Sequence, residues 1–155
     1  FTGNTRLGIL DAVWKWSPNG NSTRTSLTLQ GEYFRRLESG SLVYDEGGQA
    51  LADSFRSAQS GWYAQAVYKF LPEWRVGLRY DRLDVGNVNA SSNTENLYLP
   101  SYSPNRTTLM FDWAPSEYSR VRLQLAQDRA RYGLTDNQIM IQYMMSLGSH
   151  GAHGY

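Results

Sequence analysis

The sequence has no cysteine and only two histidines among its 155 residues. The lack of cysteine excludes disulfides, thiolate metal sites and a cysteine nucleophile within these residues. The formal net charge is +1 at pH 7, which gives no electrostatic reason to bind nucleic acid. Lys15 and Lys69 are the only lysines, so the basic residues are almost all arginine. Arginine stays charged in confined sites and holds carboxylate or phosphate groups at two points.

Long apolar runs are also missing. No stretch approaches the roughly 20 apolar residues that a membrane-spanning helix needs, and the mean hydropathy is −0.54. These residues are therefore not expected to cross a membrane as a helix. A transmembrane β-barrel is still compatible with such a sequence, because only every second residue of a strand has to face lipid.

The sequence does contain two-residue alternation, clearest in residues 138–147. Odd positions there are large and apolar, whereas even positions are polar apart from two methionines. A period of two indicates a strand that faces two different environments. The apolar positions are Ile139, Ile141, Tyr143, Met145 and Leu147.

The same alternation predicts seven strands in all. They are expected at residues 7–16, 23–36, 61–70, 74–84, 106–113, 118–130 and 138–147. Short turns at residues 17–21, 71–73 and 115–117 follow the first, third and fifth strands, and long polar connections follow the second and fourth. Outer-membrane barrels have short periplasmic turns and long extracellular loops.

The expected fold is therefore an all-β, antiparallel transmembrane β-barrel. Residues 1–147 would supply the transmembrane strands, with longer extracellular loops at residues 38–60 and 85–105. Residues 41–44 are expected to extend a hairpin above the membrane. Residues 148–155 would form a tail of small residues and histidine that ends in an aromatic residue.

Aromatic residues, 14% of the chain, gather at the predicted strand ends. Tryptophan and tyrosine prefer the interface between membrane and water. One group lies beside the short turns and the other at the opposite strand ends. The candidate interface aromatics are Trp14, Trp16, Trp62, Tyr68, Phe70, Trp74, Trp113, Tyr118 and Tyr155, with Tyr33, Tyr80 and Tyr132 at the outer ends.

About seven strands is an odd number, whereas single-chain bacterial barrels have even numbers. The sequence also starts at Phe1 without a signal peptide, which an outer-membrane protein needs for export. We therefore expect a processed chain or a fragment that holds the C-terminal strands of a larger barrel. The remaining N-terminal strands would come from the same barrel or from another chain.

Four segments carry a resemblance to a known family. They are EYFRR at 32–36, SGWYAQAVYKF at 60–70, WRVGLRYDRL at 74–83 and SLGSHGAHGY at 146–155. They resemble the C-terminal part of a Gram-negative porin-like family related to the phosphate-selective porins, some members of which are labelled zinc-regulated TonB-dependent outer membrane receptor. The resemblance implies an outer-membrane channel and specifies no solute.

The C-terminal tail departs from the usual assembly signal, in which apolar residues alternate up to the last aromatic. Ser149, Gly151 and His153 occupy those positions here. Either the last strand ends near Leu147 with a small-residue tail, or the assembly machinery recognises the tail differently.

Charged residues on the predicted polar faces are the pore-lining candidates. Arg75 and Arg79 on the fourth strand and Arg120 and Arg122 on the sixth are expected to form one inward-facing row. Asp112 on the fifth strand is expected to lie between them, and opposite charges on adjacent strands attract. One interpretation is a structural ladder, and the other is a wall that attracts anions. The candidates are Arg75, Arg79, Asp81, Arg106, Asp112, Arg120, Arg122, Gln124 and Asp128.

His150 and His153 are a weak candidate for a metal site. The alternative is a pair of histidines on a flexible tail without a carboxylate or thiolate nearby. No catalytic constellation is evident, because a Ser/His/Asp triad would need distant serines to reach the tail. We therefore expect no enzyme activity, no cofactor and no structural metal.

The sequence thus predicts a porin-like channel for small solutes, anions included, in the outer membrane of a Gram-negative bacterium. Its expected partners are the lipid bilayer with lipopolysaccharide, the outer-membrane assembly machinery and small solutes, but not nucleic acid. The alternatives are the barrel of a TonB-dependent receptor, for which an upstream plug domain would be diagnostic, and a scaffold or adhesin barrel without an open pore. A soluble secreted barrel would need no detergent.

Overall fold

A computed structural model of the chain describes residues 1–97 and 101–146. Those residues form an all-β structure of antiparallel strands, which confirms the predicted class. Two short 3-10 turns, Pro18–Gly20 and Ser91–Asn93, interrupt the connections. The strands are β1 (Thr2–Trp16), β2 (Ser26–Tyr44), β3 (Leu51–Leu71), β4 (Trp74–Asn89), β5 (Asn105–Ser116), β6 (Ser119–Arg129) and β7 (Asp136–Met145).

Each strand pairs with the next one in the sequence, and the seven strands form one open sheet in the order β1 to β7. Such a meander needs only hairpin connections, because antiparallel neighbours can be joined directly. Two of the connections consist of two residues, at positions 72–73 and 117–118. Among the described residues, no helix is long and apolar enough to cross a membrane.

Several strands are longer than the alternation of apolar residues predicts. The loop expected at residues 38–60 is reduced to residues 45–50, because β2 and β3 continue as a hairpin. Apolar alternation does not mark this extension, because polar side chains occupy both faces there, whereas the backbone ladder needs no apolar face. Residues 41–44 extend this hairpin as predicted. The second long connection is likewise shorter, at residues 90–104.

The other boundaries also shift. β1 begins five residues before the expected position 7, and β7 covers Asp136–Met145 instead of residues 138–147. The first turn is longer than residues 17–21, because β2 begins only at Ser26. Leu147 lies outside the described residues, so the predicted end of the last strand cannot be placed on the sheet.

The strand register places the predicted apolar residues on one face of the sheet, which we call the apolar face. Trp14 on β1 opposes Leu29 on β2, and the same lateral row continues to Ile139 on β7. Successive residues of a strand point to opposite faces, so the other residues form what we call the polar face. The complete row on the apolar face is Trp14, Leu29, Ala66, Leu78, Leu109, Leu125 and Ile139.

Burial in this sheet is the reverse of that in a water-soluble protein. Ala90 and Ala126 are the only buried hydrophobic residues of the described chain. Large apolar side chains remain open, with Leu10 at 72% and Ile141 at 77% exposure. The residues with little exposure are instead mostly polar, namely Ser57, Asn93, Thr108 and Asp112.

The long hairpin of β2 and β3 is covered on one side by the 3-10 turn Ser91–Asn93. The side-chain amide of the buried Asn93 donates to the carbonyl of Leu51 at 3.0 Å. The hydroxyl and backbone N–H of Ser92 donate to the Asp53 carboxylate at 2.6 and 3.2 Å. These polar contacts, together with the buried Ala90, hold this connection beside the strand edge.

Candidate functional site: the polar face of the sheet

Asp112 is the centre of the strongest ion-pair cluster on the polar face. The register places it opposite Arg75 on β4 and Arg122 on β6. Arg122 donates two hydrogen bonds to the two carboxylate oxygens, at 2.7 and 3.0 Å. Arg75 Nη2 lies 3.0 Å from Asp112 Oδ2. Only 1% of the Asp112 side chain is exposed, so this carboxylate is almost completely enclosed by its partners.

Arg120 completes what we call the arginine cluster: Arg75, Asp112, Arg120 and Arg122. Its Nε lies 3.9 Å from Asp112 Oδ2, and this buried atom has no hydrogen-bond partner. Three guanidinium groups therefore share one carboxylate. Arg75 and Arg120 also line a cavity of about 440 Å³ with Lys69, Glu73 and Glu117 at the end of the sheet near the two-residue turns.

Arg79 does not join this cluster, contrary to its expected place in the same row. It forms a two-point ion pair with Asp81, with Nη2 2.6 Å from Oδ1. Its guanidinium carbon also lies 3.8 Å from the centre of the Tyr63 ring. The reason is local, because Asp81 is the next residue on the same face of β4 and therefore stands within reach.

A chain of hydrogen bonds continues from the Arg79 guanidinium toward β2. Arg79 Nη1 donates to Gln65 Oε1 at 3.4 Å, and Gln65 Nε2 donates to Gln30 Oε1 at 2.9 Å. Gln30 in turn donates to the Tyr63 hydroxyl at 2.9 Å. Sequence reasoning did not single out these glutamines, although their alternation on β2 and β3 already assigned them to the polar face.

The remaining pore-lining candidates also lie on the polar face. Arg106 Nη1 is 3.5 Å from Asp128 Oδ2, and Arg106 Nη2 donates to Gln138 at 3.0 Å. Gln124 lines a cavity of about 320 Å³ together with Asp112. The nine candidates are therefore on one face but in separate groups, with the arginine cluster as the largest.

A row of carboxylates crosses the polar face, which the sequence alone did not reveal. Asp11 directly opposes Glu32, and Asp128 directly opposes Asp136. Like charges in such positions repel each other, so structural stability does not explain these pairs. We call this lateral row the acidic row; it consists of Asp11, Glu32, Tyr63, Asp81, Arg106, Asp128 and Asp136.

Beyond the acidic row, the polar face also carries apolar residues. The alternation in the first predicted strand, residues 7–16, did not indicate them. Ile9 opposes Phe34 there, and Gly61 opposes Leu83 in the same row. A side chain at position 61 would meet the Leu83 side chain and the Arg82 carbonyl. This apolar row interrupts the polar face, which continues beyond it, where Arg36 donates to Gln59 at 2.6 Å and pairs with Glu38 at 3.4 Å.

The interface aromatics lie at the two ends of the apolar face. Trp74 and Trp113 are stacked with ring centres 6.0 Å apart, and Tyr68 and Phe70 are 6.5 Å apart. At the other end, the ring centres of Trp62 and Tyr80 are 5.4 Å apart. Trp14, Trp16 and Tyr118 are exposed near the first group. Tyr155 lies outside the described residues.

No group of three or more metal-ligating side chains occurs within residues 1–97 and 101–146. The weak candidates His150 and His153 lie outside those residues. The described polar face therefore offers arginine, carboxylate and amide groups for binding.

No known protein family matches the chain, and no solved structure does. The chain is similar to a protein of Aquifex aeolicus (strain VF5) with the name "Uncharacterized protein". The two are 30% identical over 161 residues, which cover 100% of this chain and 32% of that protein. The chain thus spans about a third of the length of this relative.

Proposed function

We propose that these strands form part of the wall of an outer-membrane, porin-like channel for small solutes. The observation that carries the proposal is the inverted burial of the sheet. An exposed apolar face is costly in water, at about 25 cal/mol per Å². Lipid removes that cost, while the polar face lines an aqueous lumen.

The dimensions of the apolar face support a membrane span. Trp62 and Phe70 lie on the same face of β3, and the segment from one to the other is nine residues long. A transmembrane strand needs about 9–11 residues. Arg82 lies directly opposite Trp62 and forms an ion pair at 3.0 Å with Asp84, which lies beyond it. Polar residues thus begin where the aromatic ones end, as expected for the boundary between lipid and water.

Further strands are part of the proposal, because an open sheet leaves backbone groups unpaired and lipid cannot satisfy them. β1 and β7 each have one partner strand in the described residues. We propose that additional strands, from the same barrel or from another chain, close the barrel. The greater length of the Aquifex aeolicus relative is compatible with such strands.

The proposal includes the setting expected of such a channel: the Gram-negative outer membrane, with contacts to lipopolysaccharide and the assembly machinery. The family resemblance described above agrees with this assignment and remains a prediction. The arginine cluster is the part of the described polar face that would favour small anions.

Planar-bilayer recordings of the full-length protein test the proposal. We expect discrete conductance steps, because a lumen lined by the polar face would be filled with water. A folded protein that inserts into the bilayer without any conductance would contradict the channel and favour a scaffold or adhesin barrel.

Cysteine labelling tests the orientation in cells, because these 155 residues contain no cysteine of their own. Gln49→Cys, in the connection between β2 and β3, should react with a membrane-impermeant maleimide on intact cells. Glu73→Cys, in the turn between β3 and β4, is the matched control and should react only after the outer membrane is permeabilised. The opposite pattern would contradict the proposed topology.

A further inference from the structure

Charges of opposite sign occupy two separate levels of the polar face. The acidic row contains five carboxylates and one arginine. A second row, which we call the basic row, contains Lys69, Arg75, Asp112 and Arg122 as consecutive partners on β3 to β6. Arg120 adds a further positive charge beside it.

The register fixes the spacing between the rows. The two rows are six residues apart on each of the strands that carry both, as in the pairs Arg75 and Asp81 or Arg122 and Asp128. At about 3.3 Å per residue, the rows are separated by about 20 Å along the strands. That exceeds the Debye length of about 8 Å at physiological ionic strength, so each row acts on ions separately.

Two further rows lie between the acidic row and the basic row, and these two rows carry little net charge. One contains Val13, Gln30, Gln65, Arg79, Thr108, Ala126 and Gln138, and Arg79 is bound to Asp81. The other is uncharged except for Lys15 on the edge strand. The acidic row lies nearer the long connections, at what we call the loop end. The basic row lies nearer the two-residue turns, at the turn end.

The rows differ in how far their charges are neutralised internally. In the basic row, Asp112 is the only carboxylate among the arginines, and the buried Nε of Arg120 still has no hydrogen-bond partner. In the acidic row, Arg106 pairs with Asp128, and Asp81 pairs with Arg79 of the neighbouring row. Asp11 and Asp136 form no salt bridge among the described residues. Excess charge of opposite sign therefore remains at the two levels.

We propose, on the basis of the channel function proposed above, that this charge arrangement makes conduction depend on the direction of the voltage. Cations enter readily past the acidic row and anions past the basic row. A positive potential at the loop end drives both kinds of ion inward and fills the channel. The reverse potential draws both outward and depletes it. Current is therefore larger when the loop end is positive.

The carboxylates of Glu73 and Glu117 lie in the turns below the basic row and line the same cavity as Arg75 and Arg120. They reduce the positive charge at the turn end but belong to exposed turns rather than to the strand wall. The basic row thus remains the charged level that the strand wall itself presents to ions at the turn end.

The test is the current at equal and opposite voltages through the full-length protein, inserted from one side of a planar bilayer. Cysteine labelling at position 49 establishes which side the loop end faces. In about 0.1 M KCl the current should be larger with the loop end positive. In about 1 M KCl the asymmetry should decline, because the Debye length falls from about 10 Å to about 3 Å.

Two sets of variants assign the effect to the rows. Asp11→Asn, Glu32→Gln and Asp136→Asn together remove charge from the acidic row, and Lys69→Gln with Arg120→Gln remove it from the basic row. Each set should reduce the asymmetry. In a KCl gradient the first set should shift the reversal potential toward anion preference and the second toward cation preference. A purely structural defect would not shift it in opposite directions.

The matched control is Asp45→Asn with Glu46→Gln, which removes two negative charges from the connection between β2 and β3, outside the rows. It should leave the asymmetry unchanged. An open channel with equal currents, with the opposite sign of asymmetry, or with an asymmetry that survives both sets of variants would overturn this inference but not the channel. The absence of any conductance would overturn the proposed function itself.

Discussion

The two faces of this sheet differ in which side chains they leave exposed. On the apolar face, Ile139 and Ile141 are 74% and 77% exposed. On the polar face, Asp112 is 1% exposed and is enclosed by arginines. A soluble sheet buries its apolar face against a second layer. The difference teaches that, if lipid covers the apolar face as proposed, the medium on each side determines which residues a sheet can leave open, more than the average hydropathy of the chain does.

The comparison also separates two kinds of stabilising contact. Side chains of the polar face satisfy one another through hydrogen bonds that cross from strand to strand, such as Gln65 to Gln30 and Arg122 to Asp112. Side chains of the apolar face lack such directional partners and depend on transfer out of water. Substitutions on the two faces should therefore have different costs.

The largest expected difference comes from placing the same charge on adjacent residues of opposite faces. Leu123→Arg introduces a cation between Phe111 and Ile141 on the apolar face. If lipid covers that face near its midplane, the change should cost about 2–4 kcal/mol of folding free energy. Gln124→Arg is the matched control on the polar face and should be tolerated. Denaturant titrations of the full-length protein in phospholipid vesicles measure both.

Equal losses for the two arginine variants would show that the faces do not differ in their surroundings. Full stability of Leu123→Arg in vesicles would place that face in water and contradict the membrane proposal.

A smaller difference is expected within the polar face, between two of its carboxylates. Asp112→Asn removes the charge that three guanidinium groups share, and hydrogen bonds to charged groups contribute about 1.5–3 kcal/mol. Asp128→Asn affects a single ion pair at 3.5 Å with a more exposed carboxylate. Such pairs are worth about 0–1 kcal/mol. The same titrations should therefore rank Asp112→Asn as the more destabilising change.

Both asparagine variants preserve side-chain volume, so the comparison isolates charge. A loss for Asp128→Asn as large as that for Asp112→Asn would contradict the special position of the arginine cluster. It would indicate instead that charge on the whole face acts uniformly.

The assignment of residues to the two faces could be predicted from the sequence, whereas the side-chain partners within each face could not. The alternation within each strand and the short turns sufficed to predict the antiparallel strands and which residues share the apolar face, Ile139 among them. Arg79 was assigned to the wrong group, because its choice of Asp81 over Asp112 depends on side-chain reach along the same strand. The carboxylate row needed the register of all seven strands, which no single strand pattern contains.

Strand length was the other feature that could not be predicted from the sequence. The hairpin that continues through Tyr44 and Leu51 has no apolar face to signal it. Beyond the Trp62 end, the contrast between the faces weakens, and hydrogen bonds such as Ser92 to Asp53 stand beside apolar contacts such as that of Phe1 with Phe55. That region provides the mildest test of the comparison, because one of its carboxylates, Asp53, makes the stability of the connection depend on pH.

Asp53 is the group that makes this region sensitive to pH. Hydrogen bonds from the Ser92 hydroxyl and from the backbone N–H groups of Ser54 and Ser92 hold the pKa of its carboxyl below the ordinary value. A lowered pKa in the folded state means that these contacts stabilise the connection at neutral pH. Their contribution begins to fall near the ordinary aspartate pKa of about 3.9 and is lost as pH falls through the lower, folded-state pKa.

The measurement is hydrogen exchange of residues 90–96, corrected for the intrinsic effect of pH. In the wild type, protection of the Ser92 amide should fall as the solution is acidified below about pH 4. In the Asp53→Asn variant, protection should be low already at neutral pH and should change little with acid, because the titrating group is gone. Asp45→Asn, in the neighbouring connection, should behave like the wild type. Acid-dependent exchange that persists in Asp53→Asn would contradict this assignment and attribute the sensitivity to another group.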